Sequence, residues 1–311
     1  MTGVDAAVLG SVLAAMVAAA TPLVFAALGE LVVERSGVLN LGVEGMMLVG
    51  AVSGFAVAAG GGGLVAGVLA AALAGAFMAL LFAVLALGLL ANQVATGLAL
   101  TVFGGGLSAL VGKGWVGTPL SRPADLAIPL LSDVPVLGPA LFRHDGLVYL
   151  ALAAVPAVAW FLSSTRAGLV LRAVGENHAA AHALGLPVRR VRVLAVLFGG
   201  AMAGLGGGYL SLCDTPMWAE GMTAGRGWIA LALVVFATWR PARVLAGAWL
   251  FGGVTLAQLH AQGLGFAVPS QVLAMLPYLA TIAVLVIISR DATRIRLNAP
   301  ACLGKVFHPE T

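Results

Sequence analysis

The sequence predicts an all-α polytopic membrane protein with about nine transmembrane helices (8–10). Three observations carry this. Of the 311 residues, 61% are hydrophobic and only 9% charged, and the mean hydropathy of +1.07 lies outside the usual composition of soluble domains. Uncharged runs such as Leu64 to Leu90 exceed the roughly 20 helical residues that cross the hydrocarbon layer. The basic residues gather at a few connections instead of forming the aromatic-interleaved patches of a nucleic-acid binder, so the pI of 9.6 reports membrane orientation.

Apolar segments run over 7–33, 41–60, 64–90, 93–111, 147–163, 191–212, 226–239, 242–261 and 270–289. The first is read as a retained span and not a signal peptide, because no Lys or Arg precedes Arg35. An odd number of spans puts the termini on opposite faces. One assignment collects every basic residue except Lys113, Arg122, Arg143 and Arg226 on a single face, and the positive-inside rule makes that face cytoplasmic. The amino terminus is then outside and the carboxyl terminus inside. Residues 1–290 form the transmembrane domain, 112–146 a proline-rich outer loop, 165–190 the long cytoplasmic connection and 291–311 a cytoplasmic tail. Cys213 and Cys302 fall on opposite faces, which argues against a disulfide between them.

Small residues recur at a spacing of four in Gly67, Ala71 and Gly75 and in Gly200, Gly204 and Gly208. Each set lies along one helix face, where close backbone approach packs a membrane bundle. Pro156 and Pro277 are expected to kink their spans. "SGVLNLGVEGMMLVGA" and "EGMTAGRGWIALALVVF" each set glycines, then a charge at membrane level, then a span, and they enter from opposite faces. That pattern predicts an inverted repeat with interrupted helices.

Catalytic chemistry is not legible. The nearest approach to a phosphate loop, "GLSALVGKG", has Leu107 at the required glycine and Gly114 in place of Ser or Thr. Neither a Gly-x-Ser-x-Gly elbow nor a His-Glu-x-x-His helix occurs. His178 and His182 stand four apart without a third ligand nearby in sequence, so they read as solvated side chains and not a metal site.

"TPLVFAALGELVVERSGVLNLGVEGMMLVGA", "LRAVGENHAAAHALGLPVRRVRVLAVLFGGAMAGLGGGYLSL", "GMTAGRGWIALALVVFATWRP" and "LPYLATIAVLV" closely resemble, in order from Thr21 to Ser289, the permease subunits of bacterial ABC importers for nucleosides and simple sugars. These belong to the larger ribose and branched-chain amino-acid permease group. The resemblance implies a chain of the bacterial cytoplasmic (inner) membrane that is no enzyme and binds no cofactor, with ATP-Mg held by a partner ATPase. It also implies a related second permease in a heterodimer, an extracytoplasmic substrate-binding lipoprotein and the lipid bilayer as partners, and no nucleic acid. The solute implied is a nucleoside, with ribose-like sugars or other purine-related compounds as alternatives. An ion-coupled secondary transporter is the competing class.

In that family Gly175, Glu176, Asn177, His178, Ala179, Ala180, Ala181 and Gly185 would fall in the coupling helix, which sits in a groove on the ATPase. The residues explain how such a helix forms. Asn177 is a good N-cap, Glu176 suits the positive helix end, Gly185 can close the helix in a left-handed conformation and Pro187 prevents its continuation. About two turns remain, too few to be stable in water alone. His178 departs from the proline usual in the family, and histidine loosens the start of the helix that proline would fix.

Polar groups inside an apolar bundle face a cavity or each other. Asn40, Glu44, Asn92, Thr96, Thr101, Ser108, Arg226, Trp228 and Gln258 are therefore the candidates for lining or gating a translocation pathway. Glu44 reads equally as a structural or gating acid beside the pathway and as a carboxylate bonded to backbone at a broken helix. Arg226 reads as a partner for Asp214, Glu220 or Glu44, or as a cap on the end of its span.

Overall fold

The computed structural model of the protein describes residues 3–263 and 298–308, with positions 272, 275–276, 279–280, 282–283 and 286 between them. The predicted segment 270–289, including Pro277, lies outside the described residues apart from those positions. The other predicted segments each become a helix, and five helical stretches are long and apolar enough to cross a membrane: Val8–Arg35, Val43–Gly88, Gln93–Trp115, Gly146–Ser164 and Val188–Asp214.

Helix α1 (Gly3–Arg35) is apolar on every face and buried without interruption from Ala20 to Glu34, as expected of a helix at the centre of a bundle. The apolar stretch Val43–Gly88, 46 residues long, cannot run straight. It folds back at Gly61 and Gly63, whose φ angles of 95° and 74° are readily available only to glycine. The result is a hairpin of α2 (Val43–Val57) and α3 (Gly63–Phe82).

Helix α4 (Gln93–Gly112) starts at Asn92, whose side chain accepts from the Ala95 amide. The proline-rich loop that follows is ordered around α5 (Leu137–Phe142), with β1 (Leu126–Ala127) paired antiparallel to β2 (Arg143–His144). Asp145 then caps α6 (Gly146–Ser164), accepting from the amides of Leu147 at 2.9 Å and Val148 at 3.1 Å. The remaining helices are α7 (Arg166–Glu176), α8 (His178–Ala183), α9 (Val188–Tyr209), α10 (Arg226–Phe236) and α11 (Pro241–Gly263).

The two small-residue faces predicted from spacing pack against one another. A Cβ added to Gly204 would run into the Ala71 carbonyl, one on Gly75 into the Gly200 carbonyl, and one on Gly208 into the Ala71 side chain. Backbones this close gain dispersion where lipid supplies no hydrophobic drive.

The bundle has two distinct poles. At one, the loop after α4 joins the segment before α10 through bridges Val116↔Trp218 and Pro119↔Met217. At the other, Arg35 Nη2 donates to the Trp239 carbonyl at 3.1 Å and Arg192 Nε to the Ser36 carbonyl at 3.2 Å, so the end of α1, the end of α10 and the first turns of α9 meet. Helix α10 has only 11 residues, a rise of about 16 Å against a hydrocarbon layer of about 30 Å. It runs from Glu44 on α2, which accepts from the Gly227 amide at 2.6 Å, to the basic pole. The N-termini of α2 and α10 therefore meet.

Candidate functional site

The connection 165–190 contains two helices, α7 and α8, not one. Thr165 opens α7 by accepting from the Gly168 amide at 3.0 Å, and Leu171, Val174 and Gly175 turn inward. Asn177 closes α7, its amide donating to the Ala173 carbonyl at 3.0 Å. The same residue opens α8, its side chain accepting from the Ala180 amide at 2.9 Å. At the far end the Leu186 amide donates to the Ala181 carbonyl at 3.0 Å and the Gly185 amide to the His182 carbonyl at 2.8 Å, with Gly185 at φ 78°. This is the six-to-one and five-to-two pattern of a Schellman motif. A helix too short to persist alone is thus capped at both ends.

Its exposed face is formed by Ala179, Ala180, Ala183 and Leu184, the last 80% exposed. Ala181 instead turns inward to pack with Val174 and Val188. Glu176 is exposed and its carbonyl accepts a weak bond from Cys302 Sγ at 3.4 Å. Gly175 sits so close to the end of α1 that a Cβ there would run into the Arg35 carbonyl. His178 has an anchor that proline would lack: Arg192 Nη2 lies 3.2 Å from its Nδ1. Burial, then the charges of Arg192 and Lys305, push the His178 imidazole below its ordinary value of 6.5, so at neutral pH the ring is uncharged and can accept that bond.

At membrane level the polar candidates separate into distinct roles. Glu44 is 7% exposed and accepts from Thr223 Oγ1 at 2.6 Å, the Gly225 amide at 2.8 Å and the Gly227 amide at 2.6 Å. Of its two readings, the structure realises the carboxylate bonded to backbone, and the backbone belongs to the N-terminus of α10, where a negative charge is favoured. Arg226 caps locally, with Nη1 at 3.1 Å from the Met222 carbonyl and 3.4 Å from that of Thr223.

Asn40 is fully buried. It donates its amide to Glu30 at 3.2 Å and accepts from the Gly42 amide at 2.9 Å. Thr101 donates to the Leu41 carbonyl at 2.9 Å and buried Ser108 to that of Gly105 at 2.9 Å. Thr96 is buried, Gln258 half-buried, and Asn92 and Trp228 exposed. None of these residues lines the apolar cleft of about 820 Å³ walled by Val32, Phe161, Leu194, Phe198 and Met202, with Arg166 at its edge.

Sequence reasoning missed α7, and with it Arg192, only 1% exposed, and the contacts of residues 298–308. The Thr165 cap and the Leu171/Val174 spacing were available signals for α7. For the tail and for two of the three partners of Arg192, Ser36 and Lys305, no local signal exists, since the paired residues lie more than a hundred positions apart.

The family described as branched-chain amino acid transport system / permease component matches residues 11–287. Among curated proteins the chain is 43% identical to the putative glucose ABC transporter permease protein TsgC13 of Haloferax volcanii, covering 95% of this chain and 97% of that one. It is 33% identical to the nucleoside ABC transporter permease protein NupC of Lactococcus lactis (88% and 90% covered). It is 32% identical to the guanosine ABC transporter permease protein NupQ of Bacillus subtilis (89% and 92% covered). No solved structure matches. A multi-pass helical bundle, a doubly capped helix at its basic pole and matches along nearly the whole chain agree: the protein belongs to this permease family, whose relatives here are ABC sugar and nucleoside permeases.

Proposed function

We propose that the chain is one permease half of an ATP-driven importer and that α8 is the helix its ATPase grips. The exposed, doubly capped α8 at the basic pole carries this reading, because a six-residue helix is marginal without contacts from elsewhere and this one presents Ala179, Ala180, Ala183 and Leu184 outward as a narrow face that a groove can accept. ATP-Mg is bound by the ATPase, and the chain itself performs no chemistry. Dimerisation of the ATPase alternates the bundle between outward and inward openings. Segment 270–289 supplies a ninth span, the amino terminus lies outside, and the basic pole, with 165–190 and 291–311, faces the cytoplasm. A related second permease and an extracytoplasmic binding lipoprotein complete the system.

The solute is uncharged and rich in hydroxyls, a nucleoside in the first instance, supported by the likeness to NupC and NupQ. Trp228 and Gln258 present side chains that could meet it, as does the amide nitrogen of Asn92, whose oxygen caps α4, while Asn40, Glu44, Thr96, Thr101, Ser108 and Arg226 hold the elements that flank it. A second reading, a simple sugar, is favoured by the higher identity to TsgC13. Both share a polyhydroxylated ring.

The docking test uses Glu176→Lys and Gly185→Val, the latter forcing a branched residue into φ 78° at roughly 1–2 kcal/mol. Both should abolish ATP-dependent uptake in proteoliposomes and co-purification of the ATPase while the bundle stays folded. Normal uptake by both variants would remove the docking role. Calorimetry of the cognate binding protein against nucleosides and sugars decides the solute, and binding of sugars alone would replace the first reading by the second.

A further inference from the structure

Transport as proposed needs a coupling helix and a bundle, but it does not require the way residues 298–308 are held. The Cys302 amide donates to the Gly175 carbonyl at 2.9 Å and the Gly304 amide to the Gly37 carbonyl at 3.1 Å. Arg35 Nη1 donates to the Asn298 carbonyl at 3.1 Å. The Phe307 ring stands edge-on to both His178 and His182, at 5.3 Å from each, and packs on the small cluster of Val174, Ala181 and Val188. The tail therefore touches α7, α8 and the residues just after α1 within eleven positions of chain.

Arg192 joins the residues after α1, α8 and the tail itself from the inside. Its Nε donates to the Ser36 carbonyl at 3.2 Å, its Nη1 to the Lys305 carbonyl at 3.1 Å, and its Nη2 faces His178 Nδ1 at 3.2 Å. The planar guanidinium, rigid and always charged, can serve three acceptors in fixed directions, which a lysine ammonium on a flexible stem would not do. A Cβ on Gly37 would come within 2.9 Å of Arg192 Nη2 and 3.3 Å of the Gly175 backbone, so the junction is closely packed.

We infer that residues 298–308 are a strut of the coupling site and that Arg192 is its positioning residue, fixing α8 to the end of α1 so that movement imposed on α8 reaches the central helix of the bundle. This rests on the permease reading and adds to it a route for the force. Without the strut, α8 would be tied to the bundle by its two covalent ends, by Ala181 and by the bond from Arg192 to His178, whose guanidinium would have lost its hold on the Lys305 carbonyl. Each end is a natural hinge, Asn177 in extended conformation and Gly185 left-handed. The ATPase could then move α8 without moving α1.

The test compares the full chain with a chain ending at residue 297, with Arg192→Lys and with Phe307→Ala, each assembled with its ATPase, second permease and binding protein. The truncation removes only residues beyond the bundle, so it remains informative where a buried-arginine variant fails to insert. Hydrogen exchange of the Ala181, Leu184 and Gly185 amides and the number of solute molecules imported per ATP are measured together. In the truncated chain, which loses the Phe307 contacts to α8 and the Lys305 carbonyl that holds Arg192, exchange at α8 should rise about tenfold, and import per ATP should fall by a similar factor while the ATPase still co-purifies. Arg192→Lys should follow the truncation and Phe307→Ala should fall between. Unchanged exchange and an unchanged import ratio in the truncated chain would overturn the strut while leaving the permease reading intact. Failure of the full chain itself to hold an ATPase would instead strike the reading beneath it.

Discussion

Replacing Glu44 should loosen the start of α10, and the structure gives the size of the effect. The carboxylate accepts three bonds, from Thr223 Oγ1 and the amides of Gly225 and Gly227, at 2.6 to 2.8 Å. These donors are nearly shut off from water, and each one orphaned costs about 1–3 kcal/mol. Part of that is returned in Glu44→Ala, because a buried charge no longer needs to be desolvated. The net expected for Glu44→Ala is a destabilisation of about 3 kcal/mol. Glu44→Gln keeps one acceptor oxygen for Thr223 and Gly225 but turns an amide nitrogen, itself a donor, toward the Gly227 amide, so it should lose about 1–2 kcal/mol. The assay is chemical unfolding of the purified protein in detergent, with the order wild type, then Gln, then Ala. An alanine variant as stable as wild type would refute the reasoning, since it would mean that water already reaches these donors.

Three further outcomes follow from particular contacts. Gly204→Val should destabilise by about 3 kcal/mol or more, because its Cβ meets the Ala71 carbonyl and the Gly75 backbone, whereas Gly105→Ala, where nothing lies within 4 Å, should unfold like wild type; equal thermal midpoints for Gly204→Val and wild type would contradict the packing. The His178 tether should be pH-dependent: a ring held below 6.5 by burial, Arg192 and Lys305 contributes stability that is complete above 6.5 and is lost as pH falls through the lowered value, when Nδ1 gains a proton and can no longer accept from Arg192. Hydrogen exchange of α8 measured from neutral pH downward, in a chain carrying His182→Gln so that His178 is the only histidine on α8, should rise in acid, and a flat profile would contradict the bond. Asn177→Ala should raise exchange at the start of α8 by a factor equivalent to about 1 kcal/mol, the usual worth of an N-cap, and no change there would mean that the cap is idle.

What was legible in the sequence was local. The caps of α8 lie within a few residues of what they cap, so Asn177, Gly185 and Pro187 could be read directly. The small faces on α3 and α9 followed from a spacing of four, although their facing one another could not. The ambiguity at Glu44 was of another kind: its donors lie 179, 181 and 183 positions further along, so no window of sequence holds both partners. The similar patterns around Glu44 and Arg226 were visible, yet the prediction set them on opposite faces and gave no reason for one to cap the other. For Asn40 and Ser108 the obstacle was different: their side-chain bonds to Gly42 and Gly105 are local, but a polar residue in an apolar segment reads the same whether it turns to its own backbone or to a cavity.

The end of α1 beside α7 and the junction at Glu44 are connected through α10. Glu34, one residue before Arg35, accepts from Trp239 Nε1 at 2.6 Å, and Arg35 donates to the Trp239 carbonyl at 3.1 Å, so the end of α1 grips the end of α10 by side chain and backbone together. Helix α10 is a single rigid rod of 11 residues, and its other end is held by Glu44 at the start of α2. A displacement of the α1 terminus must therefore either break a buried bond at Trp239 or shift the whole of α10 against α2. Because packed elements of this kind exchange between discrete arrangements and do not deform smoothly, the short length of α10 matters: a shift at the basic pole would reach the start of α2, where the N-termini of α2 and α10 meet.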